Sequence, residues 1–177
     1  MGEKVRVTAS EKNILYKIEN EPALNYFRRY IGEEYSLFMN YCLAVFEEGS
    51  PTFYVRSAPF VDVEAGSVTL NGVIAPNAMV QIGTADKSTC LSSCAASLQH
   101  ALDTYPGAQP AAALLFSCAG RKMMLGSQTA QETETVRKFL HDLPFCGFYA
   151  YGEFAPLTRG GPSLFHGTTF VTLLIGE

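Results

Sequence analysis

The sequence predicts an α+β fold, a mixed β-sheet with helices packed on it, including two strand–helix–strand units near the C-terminal half. Three observations carry this. Two unbroken apolar runs, Ala112 to Phe116 and Phe145 to Tyr151, are bounded by turn signals and read as strands buried on both faces. An amphipathic helical pattern lies between them, and helical crossovers are the usual way to join parallel strands. Upstream, short β-rich pieces punctuated by Gly66 and Asn71-Gly72 read as an antiparallel meander.

In chain order, Ile14, Tyr16 and Ile18 alternate with Leu15, Lys17 and Glu19, which predicts a strand. Asn20 is a candidate N-cap with Pro22 just inside a helix whose Leu24, Phe27 and Ile31 share one face, and Gly32 stops it. A second short helix is expected from Glu33, with Tyr35, Phe38, Met39 and Cys42 at helical spacing; core packing is the plain reading of Met39 and Cys42. Strand texture begins at Leu43, with pieces at Phe53 to Ser57, Phe60 to Glu64 and Ser67 to Leu70. Met79, Gln81 and Gly83 alternate with Val80 and Ile82. A long helix follows from about Ser88, its stripe running through Leu91, Cys94, Ala95, Leu98, Leu102 and Tyr105, and Pro106-Gly107 ends it. Thr129 and Glu132 have capping-box spacing ahead of a helix that buries Val136, Phe139, Leu140 and Leu143. A final strand lies within Phe165 to Ile175.

The apolar content of 47% against 17% charged residues suits a folded globular chain, and 177 residues hide roughly 70% of the unfolded surface without disulfide staples. A net charge of −4 and a pI near 5.4 argue against nucleic acid or an anionic membrane as partner. No signal-peptide pattern and no run of transmembrane length are present, and five cysteines without paired spacing suit a reducing compartment. A cytoplasmic setting is the expectation. No cofactor is expected either. Gly120-Arg121-Lys122 to Gly126 lacks the ending of a phosphate loop, and Cys90 with Cys94 has no second pair to complete a metal site.

Two parallel strand–helix–strand units, Met79 to Ser117 and Ala112 to Gly152, would bring three strand ends to one rim. The last strand has too short a connection for a helical crossover and should run antiparallel, starting at that rim with Phe165 and His166. The expected site there holds Cys118, Gly120, Arg121, Tyr149, Tyr151, Gly152, Glu153 and His166, with Thr168 or Thr169 beside them. Arg presents a fork for a carboxylate, Glu accepts an ammonium, and tyrosines supply apolar walls with a polar tip. A small zwitterion is the ligand such a rim would suit. The plainer alternative is that Arg121 and Glu153 simply pair with each other.

Three stretches, Phe116-Ser117-Cys118-Ala119-Gly120-Arg121, Pro144 through Gly152-Glu153, and Leu164-Phe165-His166-Gly167-Thr168-Thr169, resemble the FIST C-terminal domain, named for F-box and intracellular signal transduction. Pro22-Ala23-Leu24 with Tyr26 and Phe27, and Val55-Arg56-Ser57, are similar to the same family. The likeness runs from about Ile14 to Ile175 and implies one domain over residues 1–177. It implies a ligand-sensing domain of bacterial signalling proteins that binds a small molecule such as an amino acid or related carboxylate. Its implied protein partners are the FIST N-terminal domain that usually precedes it, absent from this sequence, or a signalling protein. The family often has Asn after the histidine, where this chain has Gly167. Two rival readings remain at this point: a cysteine-dependent enzyme using Cys118, His166 and Glu153, and a protein–protein interaction module.

Overall fold

Val5 and Val7 are buried while Lys4, Arg6 and Thr8 point outward, and this period of two makes the first strand, β1 (Lys4–Glu11). It precedes the first strand that the sequence analysis predicts. The computed structural model describes residues 2–34, 40–46 and 52–177. These form two compact units, one of the described residues up to Ala85 together with Phe154–Gly167, the other of Asp86–Glu153 with Thr168–Glu177. The α+β class holds, with mixed sheets and packed helices. No helix among the described residues is long and apolar enough to cross a membrane.

The first unit continues with β2 (Ile14–Ile18), β3 (Glu21–Pro22), α1 (Ala23–Ile31), β4 (Tyr41–Phe46), β5 (Phe53–Ser57), β6 (Phe60–Asp62), β7 (Ser67–Thr69) and β8 (Met79–Thr84). The strands lie in the order β5-β4-β8-β1-β2-β7-β6, with β3 on β2, and these pairings are antiparallel. Leu24, Phe27 and Ile31 are the buried face of α1, as their spacing predicts, and they pack with Val7, Leu15, Leu43 and Val80. Pro22 rather than Asn20 occupies the N-cap position, because Glu21 and Pro22 are still paired with β2. Of the helix expected from Glu33, Tyr35, Phe38 and Met39 lie outside the described residues. Cys42 is in β4, opposite Ser57 and Gly83.

One expectation about topology is overturned. Strand β8 is hydrogen-bonded on one side to β4 and on the other to β1, so both its edges are taken and it is no parallel neighbour of the Ala112 strand. The same unit takes β11 (Glu153–Pro156, from Phe154 on) paired with β12 (Ser163–His166). Phe165 and His166 therefore end β12 instead of starting the last strand. Arg56, buried in β5, holds β12 in place through Nη1 to the Phe165 carbonyl at 2.5 Å, and Gly167 N–H donates to the Val55 carbonyl at 3.0 Å. A Cβ on Gly167 would lie 2.2 Å from Asn71 Nδ2, so the amide of Asn71 fills the space a side chain would need.

The second unit is built from α2 (Lys87–Asp103), β9 (Ala112–Cys118), α3 (Ala119–Leu125), α4 (Thr129–Leu140), β10 (Phe145–Ala150) and β13 (Phe170–Ile175). Asp86 caps α2 by accepting the Thr89 N–H at 2.7 Å. Strand β9 is central, with β10 parallel and β13 antiparallel to it, both as expected. Cys94 and Leu98 of α2 and Val136 and Leu140 of α4 pack on Ala113 and Leu115 of β9, with Phe145, Phe170 and Leu174 around them. The residues that alternate with these, Leu114, Phe116, Cys146, Phe148, Val171, Leu173 and Ile175, turn to the other face. That face is not buried: Phe148 is 64% exposed and Leu173 50%. The expectation of strands covered on both sides fails here, since α2 and α4 both lie on one side.

Gly147 sets how closely β10 approaches β9. A Cβ there would fall 2.1 Å from the Leu115 carbonyl oxygen. Gly147→Ala should therefore force the strands apart and cost about 1–3 kcal/mol, read as a lowered midpoint in urea melts.

Candidate functional site

Polar residues of the second unit gather in two places, on opposite sides of the turn from β9 into α3. Below the sheet, on the α2 and α4 side, Arg121 and Glu132 form a buried ion pair, 2% and 4% exposed by side chain, with Nη2 to Oε1 at 2.7 Å. Arg121 makes three further hydrogen bonds: Nε to Glu132 Oε1 at 3.1 Å, Nη1 to Ser93 Oγ at 2.7 Å and Nη2 to the Cys90 carbonyl at 2.6 Å. The second Glu132 oxygen, Oε2, accepts from Ser117 Oγ at 2.9 Å and from the Tyr149 hydroxyl at 3.0 Å. Burial first, and then the Glu132 charge, push the Tyr149 phenol well above its ordinary value, so it keeps its proton and donates.

This arrangement corrects two expectations. The Arg121 guanidinium does not face Glu153 across the rim; its fork is spent on Glu132, Ser93 and Cys90. Nor does Glu132 close a capping box. Thr129 is already inside α4, and its hydroxyl donates to the Gly126 carbonyl at 2.6 Å. Glu132 stands four residues before Val136 and eight before Leu140 on the buried stripe of α4. A carboxylate in line with buried apolar positions was the available signal for a buried partner, and Ser93 and Ser117 carried none.

Three members of the network, Ser117, Glu132 and Tyr149, also line a cleft of about 280 Å³ between α4 and β10. Ser117, Glu132 and Tyr149 lie at its base, and Leu115, Val136, Phe145 and Phe170 form its walls. Thr133 and Gly147, both exposed, lie at its mouth, next to Cys146 and Phe148, whose side chains turn to the other face of the sheet.

The second polar group sits at the C-terminal ends of β9 and β10. Glu153 is 3% exposed; its Oε2 accepts from Thr169 Oγ1 at 2.8 Å, while Oε1 is buried with no hydrogen-bond partner. Burial pushes the Glu153 carboxyl up, and hydrogen bonds from Thr169 and the Cys118 thiol only partly offset that rise. Burial, then the nearby Glu153 charge, also pushes the Cys118 thiol up, against backbone N–H groups of Gly120, Thr168 and Arg121 that point to its sulfur. Thr168 has a left-handed φ of 63°, a strained conformation for a β-branched residue. So Cys118, Glu153 and Thr169 do come together. Tyr149 and Arg121 belong to the other network, Tyr151 is 91% exposed, and Gly120 and Gly152 are half-buried. His166 belongs to the first unit, where its Nε2 lies 2.9 Å from the Ala155 carbonyl oxygen. A thiol raised by burial is poorly suited to nucleophilic attack. Among the described residues no cluster of His, Cys, Asp or Glu has the makings of a metal site.

Two outcomes are expected. Glu132→Ala leaves the Arg121 charge buried and uncompensated and should cost about 3–5 kcal/mol, whereas Tyr149→Phe removes one hydrogen bond and should cost about 1 kcal/mol; chemical denaturation measures both. For Glu153, a window lies between the ordinary carboxyl pKa and its raised folded value. There the folded chain keeps a proton that the unfolded chain has released, so stability falls as pH rises. Glu153→Gln should flatten that slope in melts taken from about pH 4 to about pH 8.

Comparison with known proteins adds the family. The uncharacterized protein Rv0628c of Mycobacterium tuberculosis is 25% identical over 182 residues, 96% of this chain and 46% of that protein. The uncharacterized protein Mb0898c of Mycobacterium bovis is 28% identical over 121 residues, 68% of this chain and 31% of that protein. The chain thus spans less than half the length of these relatives. No solved structure gives a significant match. The family model described as FIST C domain matches residues 23–156, and the chain belongs to that family of sensory signal-transduction domains.

Proposed function

We propose that the chain is a cytoplasmic sensory domain that binds a small molecule, such as an amino acid, in the cleft between α4 and β10. The observation that carries this reading is the combination of apolar walls with a rigid, fully bonded polar base in one concave space. A volume of about 280 Å³ suits a ligand of amino-acid size better than a nucleotide or peptide. Arg121 serves the ligand at one remove, by fixing Glu132 and through it the hydroxyls of Ser117 and Tyr149. Glu153, with Cys118 and Thr169, is a separate candidate contact for an ammonium group, because its Oε1 lacks a donor.

A second reading, an interaction module, is favoured by the open face of the β10-β9-β13 sheet. None of Leu114, Phe116, Phe148, Val171, Leu173 and Ile175 is charged, and such a face fits an apolar surface on a FIST N-terminal domain or a signalling protein. The two readings are compatible, since a sensor needs both an input and an output surface.

A thermal-shift screen with amino acids and small amines tests the first reading. Ligand at about 100 times its Kd adds about 2.7 kcal/mol, a shift of several degrees. Thr133→Phe, on the exposed rim of α4, should fill the mouth and abolish the shift without disturbing the core. A shift that survives Thr133→Phe would move the binding site elsewhere.

A further inference from the structure

We infer that the cleft selects its ligand by a hydrogen-bond-donating head, a primary amine on an apolar body, and turns carboxylates away. This rests on the cleft being the ligand site. The reason lies in where the hydrogens at its base point. Glu132, paired with the Arg121 guanidinium, is acceptor-only. The Ser117 and Tyr149 hydroxyls have one hydrogen each, and both hydrogens are directed to Glu132 Oε2. What the two hydroxyl oxygens can turn toward the cleft is lone pairs.

A donor head would satisfy those lone pairs. An anionic head would meet two acceptor oxygens with the Glu132 charge behind them. Arg121 cannot relieve that repulsion, because it is 2% exposed and its charge is already matched by Glu132. The residues lining the cleft include no lysine, arginine or histidine. Leu115, Val136 and Phe170 would cover an aliphatic or aromatic body. The carboxylate end of an amino acid would then face outward, and an amine without a carboxylate should bind as well or better.

Matched pairs that differ only in the head test this: benzylamine against benzoate, and butylamine against butyrate, titrated calorimetrically into the full chain. Thr133→Phe, on the exposed rim of α4, reports the place of binding independently. The expected result is that each amine binds at least about tenfold more tightly than its carboxylate, and that Thr133→Phe abolishes the binding. Tyr149→Phe should weaken the amine by about tenfold, the loss of one buried hydrogen bond, and should not weaken benzoate. If benzoate binds as tightly as benzylamine and loses that binding in Thr133→Phe, the head-group inference is wrong while the cleft remains the site. Amine binding that survives Thr133→Phe, or an absence of binding by every probe, overturns the cleft reading itself. Amine affinity unchanged in Tyr149→Phe would overturn the role given to the base.

Discussion

The Arg121–Glu132 ion pair is the constraint on which the second unit depends. Taking two charges out of water costs several kcal/mol each, and only good geometry with further hydrogen bonds offsets it. Here the offset is nearly complete. Glu132 Oε1 is shared by two guanidinium nitrogens, Oε2 by two hydroxyls, and the rest of the guanidinium reaches Ser93 and the Cys90 carbonyl. Those partners come from α2, β9, α3, α4 and β10, so one pair of side chains ties together most of the elements of this unit. The position of α4 over the sheet, and with it the width of the cleft, follows from where Glu132 must sit to meet Arg121.

The same pair explains why charge is present at the base of the cleft without being available to a ligand. An unpaired Arg121 would make the cleft an anion site; paired, it serves as scaffolding and leaves hydroxyl oxygens as the exposed chemistry. Glu153 is the reverse case. It is as buried as Glu132 but has Thr169 and a thiol in place of a guanidinium, and one of its oxygens remains without a donor. Within one sheet, the first carboxylate is made structural by its partner and the second is left with unmet demand. Membership of a sensory family fits a domain that keeps such a group beside a strained Thr168.

Much of the fold was legible in residue patterns because the physics involved is local. The stripe of α2, the apolar runs of β9 and β10 and their parallel pairing all followed from periodicity and connection length. Where the sequence reading went astray, a non-local partner had intervened. Alternation in Met79 to Gly83 shows a strand, but not that β4 and β1 would claim both its edges. Phe165 and His166 read as the start of a strand, yet Arg56, more than a hundred residues earlier, draws the Phe165 carbonyl into another unit. The spacing of Thr129 and Glu132 satisfies a capping rule, but the Thr129 N–H already donates to the Gly126 carbonyl and the carboxylate goes to the buried guanidinium.

By itself the sequence determined most of the element types, the family and part of the set of residues from which a site is drawn, since turns, stripes and motif order are properties of neighbouring residues. The tertiary structure alone decided how those residues divide: Cys118, Glu153 and Thr169 in one cluster, Arg121 and Tyr149 in another, His166 in a different unit. Side chains such as Arg121 reach several ångströms from the backbone that carries them. Which partner they meet depends on packing between elements, and the order of residues along the chain shows that a face is buried without naming what it meets.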